Sequence, residues 1–99
     1  MIRFQGAATT ASASLYMTKL CKHFRHKIAV EFDERTADAQ FPSGRCRMRA
    51  EADALHFDCQ AEDAVAAERI RFVLDDHLVR FARKEGLAIV WSEEAGDES

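Results

Sequence analysis

The chain has 99 residues, of which 47% are apolar and 31% charged, and this size and composition are typical of one small globular domain. Its 14 basic and 17 acidic side chains give a net charge of −3, without the basic excess of a general DNA- or RNA-binding protein. Because no apolar run approaches the roughly 20 residues of a membrane span and the first residues lack an export signal, we expect a cytoplasmic protein that binds neither nucleic acid nor membrane.

The first predicted element is a helix over residues 9–26, which Thr9 or Thr10 would cap. A rotation of about 100° per residue gives this helix one apolar stripe, which is predicted to face the core. The stripe consists of Ala13, Tyr16, Met17, Leu20 and Phe24.

Four strands follow, because the hydrophobic period changes from 3.6 to two. They are predicted over residues 28–32, 37–41, 45–50 and 55–59. A two-residue hairpin loop at Ser43 and Gly44 would place Phe41 opposite Cys46. A four-residue loop at 51–54 would place Cys46 opposite Cys59. A shorter loop would shift this pairing by two residues and is the alternative, because it also keeps each side chain on its own face of the sheet.

A second helix is predicted over residues 62–84, ended by Gly86, and a last strand over residues 87–91. The main apolar stripe of this helix includes His77 and would face the core. The predicted fold is therefore an α+β two-layer sandwich, in which two helices pack on one face of a mostly antiparallel sheet of four to five strands, in the order α-β-β-β-β-α-β. Residues 1–92 would form a single domain, and residues 93–99 a flexible acidic tail.

The three cysteines lack CxxC spacing, which argues against a zinc finger and a disulfide framework. Cys46 and Cys59 are predicted to be reduced core residues, with a redox pair as the alternative. On the open sheet face, Arg45, Arg47 and Arg49 are predicted to be solvated, with charges that are neutralised across the strands. The alternative is that these arginines bind phosphates or a partner's carboxylates.

Cysteine and histidine are concentrated near the end of the first helix, at Cys21, His23 and His26. Thiolate and imidazole are the preferred ligands of zinc, iron and copper, so this segment suggests a transition-metal or haem site. Cys21 and His23 lie about 160° apart around the helix, so a tight site needs a ligand from elsewhere, for which His77 is a candidate.

The predicted ligand site therefore lies where the end of the first helix meets the second helix, with Cys21 at its edge. The alternative is that His23 and His26 only flank the helix C-terminus, where the dipole favours a cationic ring. His77 would then be a buried structural histidine, bonded to a main-chain carbonyl or to Tyr16.

An apolar line on the far side of the second helix consists of Val65, Phe72 and Val79, which we call the outer stripe. The sheet cannot cover it if the main stripe faces the core. The first helix could lie alongside, but we favour contact with a second copy or a partner. A second hypothesis is therefore an interaction module without a ligand, docking through the outer stripe or the three arginines.

Motifs that would identify an enzyme are missing, among them a glycine-rich phosphate loop, GxSxG and HExxH. An enzyme using Cys21 as a nucleophile is the least supported hypothesis, because the helix separates Cys21 from His23. The sequence thus favours binding over catalysis.

Residues 13–27 resemble the opening signature of a small bacterial family, domain of unknown function 2218, and residues 77–82 with Glu85, Leu87 and Trp91 resemble its closing motif. The signature positions are Tyr16, Cys21, His23, His26, His77 and Arg80. The residues of the matching segments that are expected to be structural are Tyr16, Phe24, Arg80, Phe81 and Trp91. Arg83 departs from the apolar or aromatic residue expected there. The resemblance implies a connection with iron acquisition, because similar domains occur joined to siderophore-interacting reductases. An iron chelate as ligand and a siderophore- or iron-related protein as partner are therefore expected.

Overall fold

A computed structural model describes residues 1–93 and contains a six-stranded sheet with two helices packed against it. The elements are β1 (Ile2–Thr9), α1 (Ala13–Phe24), β2 (Ala29–Phe32), β3 (Thr36–Phe41), β4 (Gly44–Ala50), β5 (Ala54–Ala61), α2 (Ala64–Phe81) and β6 (Val90–Glu93). The strand order is β2-β3-β4-β5-β1-β6, and all neighbours are antiparallel. The α+β class and the layer of two helices on a sheet are confirmed.

The prediction of four to five strands is wrong, because residues 2–9 form β1 between β5 and β6. The element order is therefore β-α-β-β-β-β-α-β. Phe4 and Ala8 of β1 are fully buried, as expected of a strand with one face on the core. Gly6 lies on the same face, where an added Cβ would come 2.6 Å from the indole ring of Trp91.

Helix α1 begins at Ala13, four residues after the predicted start, because Thr9 belongs to β1. Its N-cap is Ser12, whose side chain makes no capping bond. Thr10 instead accepts a hydrogen bond from the Ser12 amide and donates one to the Glu85 carboxylate at 2.9 Å. The predicted stripe is buried, together with Cys21.

The hairpin between β3 and β4 differs from the predicted register by two residues. Phe41 pairs with Gly44, and Ala39 rather than Phe41 lies opposite Cys46. The turn is made by Pro42 and Ser43, and Ser43 takes a positive φ of 61°. The register between β4 and β5 is as predicted for the four-residue loop, with Cys46 opposite Cys59.

Helix α2 is shorter than predicted and begins after Asp63, whose carboxylate accepts a hydrogen bond from the Ala66 amide at 2.9 Å. It ends at Phe81, and the Gly86 backbone, with a φ of 64°, bonds back to the Ala82 carbonyl. The last strand begins at Val90 rather than residue 87, and Glu93 ends it. The rest of the predicted tail, residues 94–99, lies outside the described residues.

Candidate functional site

The two helices bring two predicted ligands into contact. His23 lies in the last turn of α1 and His77 in the last third of α2, and their ring centroids are 4.5 Å apart with the planes inclined by 44°. We call these two residues the imidazole pair. The packing of α1 on α2 therefore brings two of the four predicted ligands, His23 and His77, into contact.

The ring of His77 has a defined orientation. Its Nδ1 lies 2.7 Å from the carbonyl oxygen of Val73, one turn earlier in α2. A carbonyl oxygen only accepts, so Nδ1 donates and a neutral ring keeps its lone pair on Nε2. The predicted bond to a main-chain carbonyl is confirmed. The alternative partner, Tyr16, donates instead to the Glu85 carboxylate at 2.6 Å.

The ring of His23 is more exposed than that of His77. Partial burial lowers the pKa of His23, and repulsion from His77 lowers it further when both rings carry a proton. Smaller effects in the same direction come from His26, Lys27 and Arg80. A lowered pKa keeps the ring neutral near pH 7, and only a neutral imidazole can ligate a metal ion.

Aromatic rings surround the imidazole pair on the protein side. The Phe24 ring lies 5.2 Å from His77 and 5.7 Å from His23, both at steep angles. Phe81 lies 5.9 Å from His23 and 6.2 Å from His77, and Phe41 of β3 supports Phe24 at 5.5 Å. These contacts position both imidazoles. The contribution of Phe41 could not be found from the sequence, because it depends on the placement of β3 beneath α1.

The structure does not bring the other two predicted ligands into the site. Cys21 is fully buried in the core rather than at the edge of a site, and burial raises the pKa of its thiol to about 11. His26 lies beyond the end of α1 and is exposed, and no ring contact joins it to the imidazole pair within residues 1–93. The described residues also contain no group of three or more histidine, cysteine or acidic side chains placed to hold a metal. The site therefore offers two imidazoles.

The residues expected to be structural mostly pack into the core. Tyr16 and Phe24 are buried, and Phe81 is half-buried against the imidazole pair. Trp91 packs against the core and donates from its indole nitrogen to Asp75 at 2.9 Å. Arg80 is the exception, because it is exposed and pairs with Asp76 at 3.2 Å.

The three predicted arginines lie on the open face of the sheet. Arg47 and Arg49 line a shallow cavity of about 640 Å³, and Arg45 lines a smaller one of about 210 Å³. Arg45 makes two hydrogen bonds to Asp38, and Arg49 pairs with Glu51 at 2.6 Å. Arg47 lies opposite Asp58 in the register. The arrangement agrees with charge neutralisation across the strands, and binding of an anionic partner here stays a prediction.

Residues 1–93 leave the outer stripe exposed. Val65 is 60% exposed, Phe72 68% and Val79 51%, so α1 does not cover them and that alternative is wrong. The described part of the chain has no helix that is both long enough and apolar enough to span a membrane.

Comparison with known proteins supports the resemblance found in the sequence. The profile of a family described as "Uncharacterized protein conserved in bacteria (DUF2218)" matches residues 5–92. The chain is also similar to a solved structure described as "NMR structure of PA4090 from Pseudomonas aeruginosa". The two are 32% identical with a TM-score of 0.78, and the similarity covers 93% of this chain and 96% of the other. No curated protein matches the chain.

Proposed function

The chain belongs to the bacterial family DUF2218, and we propose that it is an accessory protein that binds a transition-metal ion through the imidazole pair. The family is described as uncharacterized, so it supplies no activity. The observation that carries the proposal is the 4.5 Å contact between His23 and His77, two rings from different helices. The hydrogen bond from His77 Nδ1 to Val73 leaves Nε2 as the ligating nitrogen, as in many metal sites.

The separation of the two ring centroids is close to that of two ligands on one ion. Imidazoles that ligate through nitrogens about 2.1 Å from a metal have ring centroids about 5 Å apart. The observed 4.5 Å separation therefore needs only a small adjustment. Neutral nitrogen ligands favour zinc, copper or nickel over magnesium and calcium, which prefer oxygen.

Two protein ligands leave coordination positions for water or an exogenous ligand. Structural zinc sites are closed by four protein ligands, so a two-imidazole site binds more weakly and exchanges its ion more readily. Such a site suits a protein that carries or passes on metal. The same two imidazoles would ligate the iron of a chelate that leaves coordination positions open, which is the ligand expected from the family resemblance. Haem with both histidines as axial ligands does not fit, because rings in mutual contact cannot lie on opposite faces of the macrocycle.

The alternative function, an interaction module without a ligand, is supported by the exposure of the outer stripe. The two functions are compatible, because Phe72 and His77 project about 140° apart around α2. The siderophore- or iron-related partner and the cytoplasmic location both stay predictions.

Isothermal titration with Zn²⁺, Ni²⁺ and Cu²⁺ at neutral pH tests the metal proposal. We expect one ion per chain, with at least about tenfold weaker binding in His23→Gln and in His77→Asn, since losing a ligand costs more than about 1.4 kcal/mol. His56→Gln is the matched control, because His56 lies on the open sheet face near Glu51, and it should bind like the wild type. Because His23 is exposed, His23→Gln should fold even if His77→Asn does not. Unchanged binding in His23→Gln, or no binding at all, would overturn the proposal.

A further inference from the structure

The outer stripe gives an inference that is independent of the metal site. We propose that it is the seam of a homodimer, in which the α2 helices of two copies pack antiparallel about a twofold axis at Phe72. At about 100° per residue, Val65 and Val79 each lie within about 20° of Phe72 around the helix, so the three form one straight line. This line is opposite the buried Ile70 and Leu74, and therefore points away from the protein's own core.

The spacing of the stripe is symmetric. Val65 and Val79 each lie seven residues from Phe72, about 10.5 Å along the helix axis in either direction. A twofold axis at Phe72 therefore brings Val65 against the partner's Val79 and the two Phe72 rings against each other. The stripe is thus complementary to a second copy of itself.

The charges on one flank of the stripe add to this self-complementarity. Arg69 and Asp76 lie on the same flank, about 60° and 40° from Phe72, one before it and one after it along the helix. In an antiparallel pair, equivalent flanks face each other, so Arg69 lies nearly level with the partner's Asp76. The twofold axis repeats the contact, which gives two intermolecular ion pairs.

The other flank carries Glu68 and Asp75, which an antiparallel pair would bring together. Asp75 accepts a hydrogen bond from Trp91 at 2.9 Å, which holds its carboxylate toward β6 and reduces this repulsion. On the first flank, Arg80 pairs with Asp76 at 3.2 Å and holds that carboxylate where the partner's Arg69 would approach.

A parallel pair is the competing arrangement, and in it opposite flanks would meet. Arg69 would then lie beside the partner's Glu68, and Asp76 beside the partner's Asp75, so attraction and repulsion again occur together. The helix dipoles favour the antiparallel pair, because each positive end lies beside a negative end of the other helix. Asp76 would lie beside the partner's Arg69 in the antiparallel pair and beside the partner's Asp75 in the parallel pair. The relative direction of the two helices can therefore be tested by changing the charge of Asp76.

The size of the seam predicts a weak dimer. Three apolar side chains over about 21 Å of helix bury less area than the roughly 1,200 Å² of a standard stable interface. Dissociation is therefore expected in the micromolar range or above, so the oligomeric state should depend on concentration.

Analytical ultracentrifugation from about 1 µM to about 1 mM, with EDTA to exclude metal bridging, tests the proposal. The wild type should shift from monomer to dimer as its concentration rises, whereas Phe72→Glu should stay monomeric. Leu15→Glu is the matched control, because Leu15 is an exposed apolar residue on α1, 51% accessible, and should dimerise like the wild type.

Charge reversal tests the direction of the helices. In the antiparallel dimer, Arg69→Asp and Asp76→Arg should each weaken association several-fold, because each places like charges together at two positions. The double variant restores both pairs in reversed polarity and should recover most of the affinity. A wild type that is monomeric at the highest concentration, a double variant no better than the single ones, or tighter association of Asp76→Arg would overturn the antiparallel dimer.

Discussion

Substitution of Gly44 tests the close packing of α2 on the sheet. Gly44 begins β4, and an added Cβ would fall within contact distance of Ile70 Cδ1 on α2 and 2.7 Å from the backbone oxygen of Gln60 on β5. The isoleucine end can rotate, but the β5 carbonyl cannot move without disturbing the strand pair. We therefore expect Gly44→Ala to lower the free energy of unfolding by about 2 to 3 kcal/mol, the upper part of the range for overpacking.

A second substitution separates the two contacts. Ile70→Val removes the Cδ1 methyl and alone should cost about 0.5 to 1.5 kcal/mol. In the Gly44→Ala chain the same change also removes a clash, so the double variant should be more stable than additivity predicts, by about 1 kcal/mol. Urea unfolding followed by circular dichroism measures all four free energies. A Gly44→Ala protein as stable as the wild type, or strictly additive losses, would refute this packing of α2 against β4.

Three further predictions address other parts of the structure. Asp63→Ala should lower the free energy of unfolding by about 1 kcal/mol in urea melts, because the Ala66 amide loses its cap; an unchanged midpoint would contradict this. The pKa of His23 is lowered in the folded protein, so at a pH just below the ordinary histidine pKa of about 6.5 the unfolded chain binds more protons than the folded one. The free energy of unfolding should therefore fall as the pH drops through this range, and His23→Gln should make this pH dependence less steep. The same pH dependence in urea melts of the variant and the wild type would contradict this. Cys46 and Cys59 are buried, and burial raises the pKa of Cys46, so native protein should resist iodoacetamide while unfolded protein reacts; rapid native labelling would refute this.

Local periodicity was sufficient to predict both helices and most strands, but β1 required tertiary information. Its sequence contains Gly6, which has low strand propensity, and the glycine is explained by the side chains of Ile89 and Trp91, which lie over it. The register between β3 and β4 could not be predicted from the hydrophobic pattern either, because a shift of two residues leaves every side chain on the same face of the sheet. The turn lies at Pro42 and Ser43, one residue before the predicted loop, and Ser43 has a positive φ in it.

The candidate site was predictable in part. Helical spacing placed His23 and His77 near the junction of the two helices, and the structure brings them together. The same spacing put Cys21 on the shoulder of the stripe, but the stripe is wide enough to bury it completely. Contacts between distant residues gave no local signal, such as those of Glu85 with Thr10 and Tyr16.

Imidazole NMR is the most direct test that the imidazole pair is one binding site. Long-range ¹H–¹⁵N spectra would resolve the four histidines of the chain and identify the protonated nitrogen of each. Before zinc is added, His77 should show a proton on Nδ1. Stoichiometric zinc should then shift the ring nitrogens of His23 and His77 together, with His56 unchanged. A proton on Nε2 of His77, or a shift of only one member of the pair, would contradict a two-imidazole site.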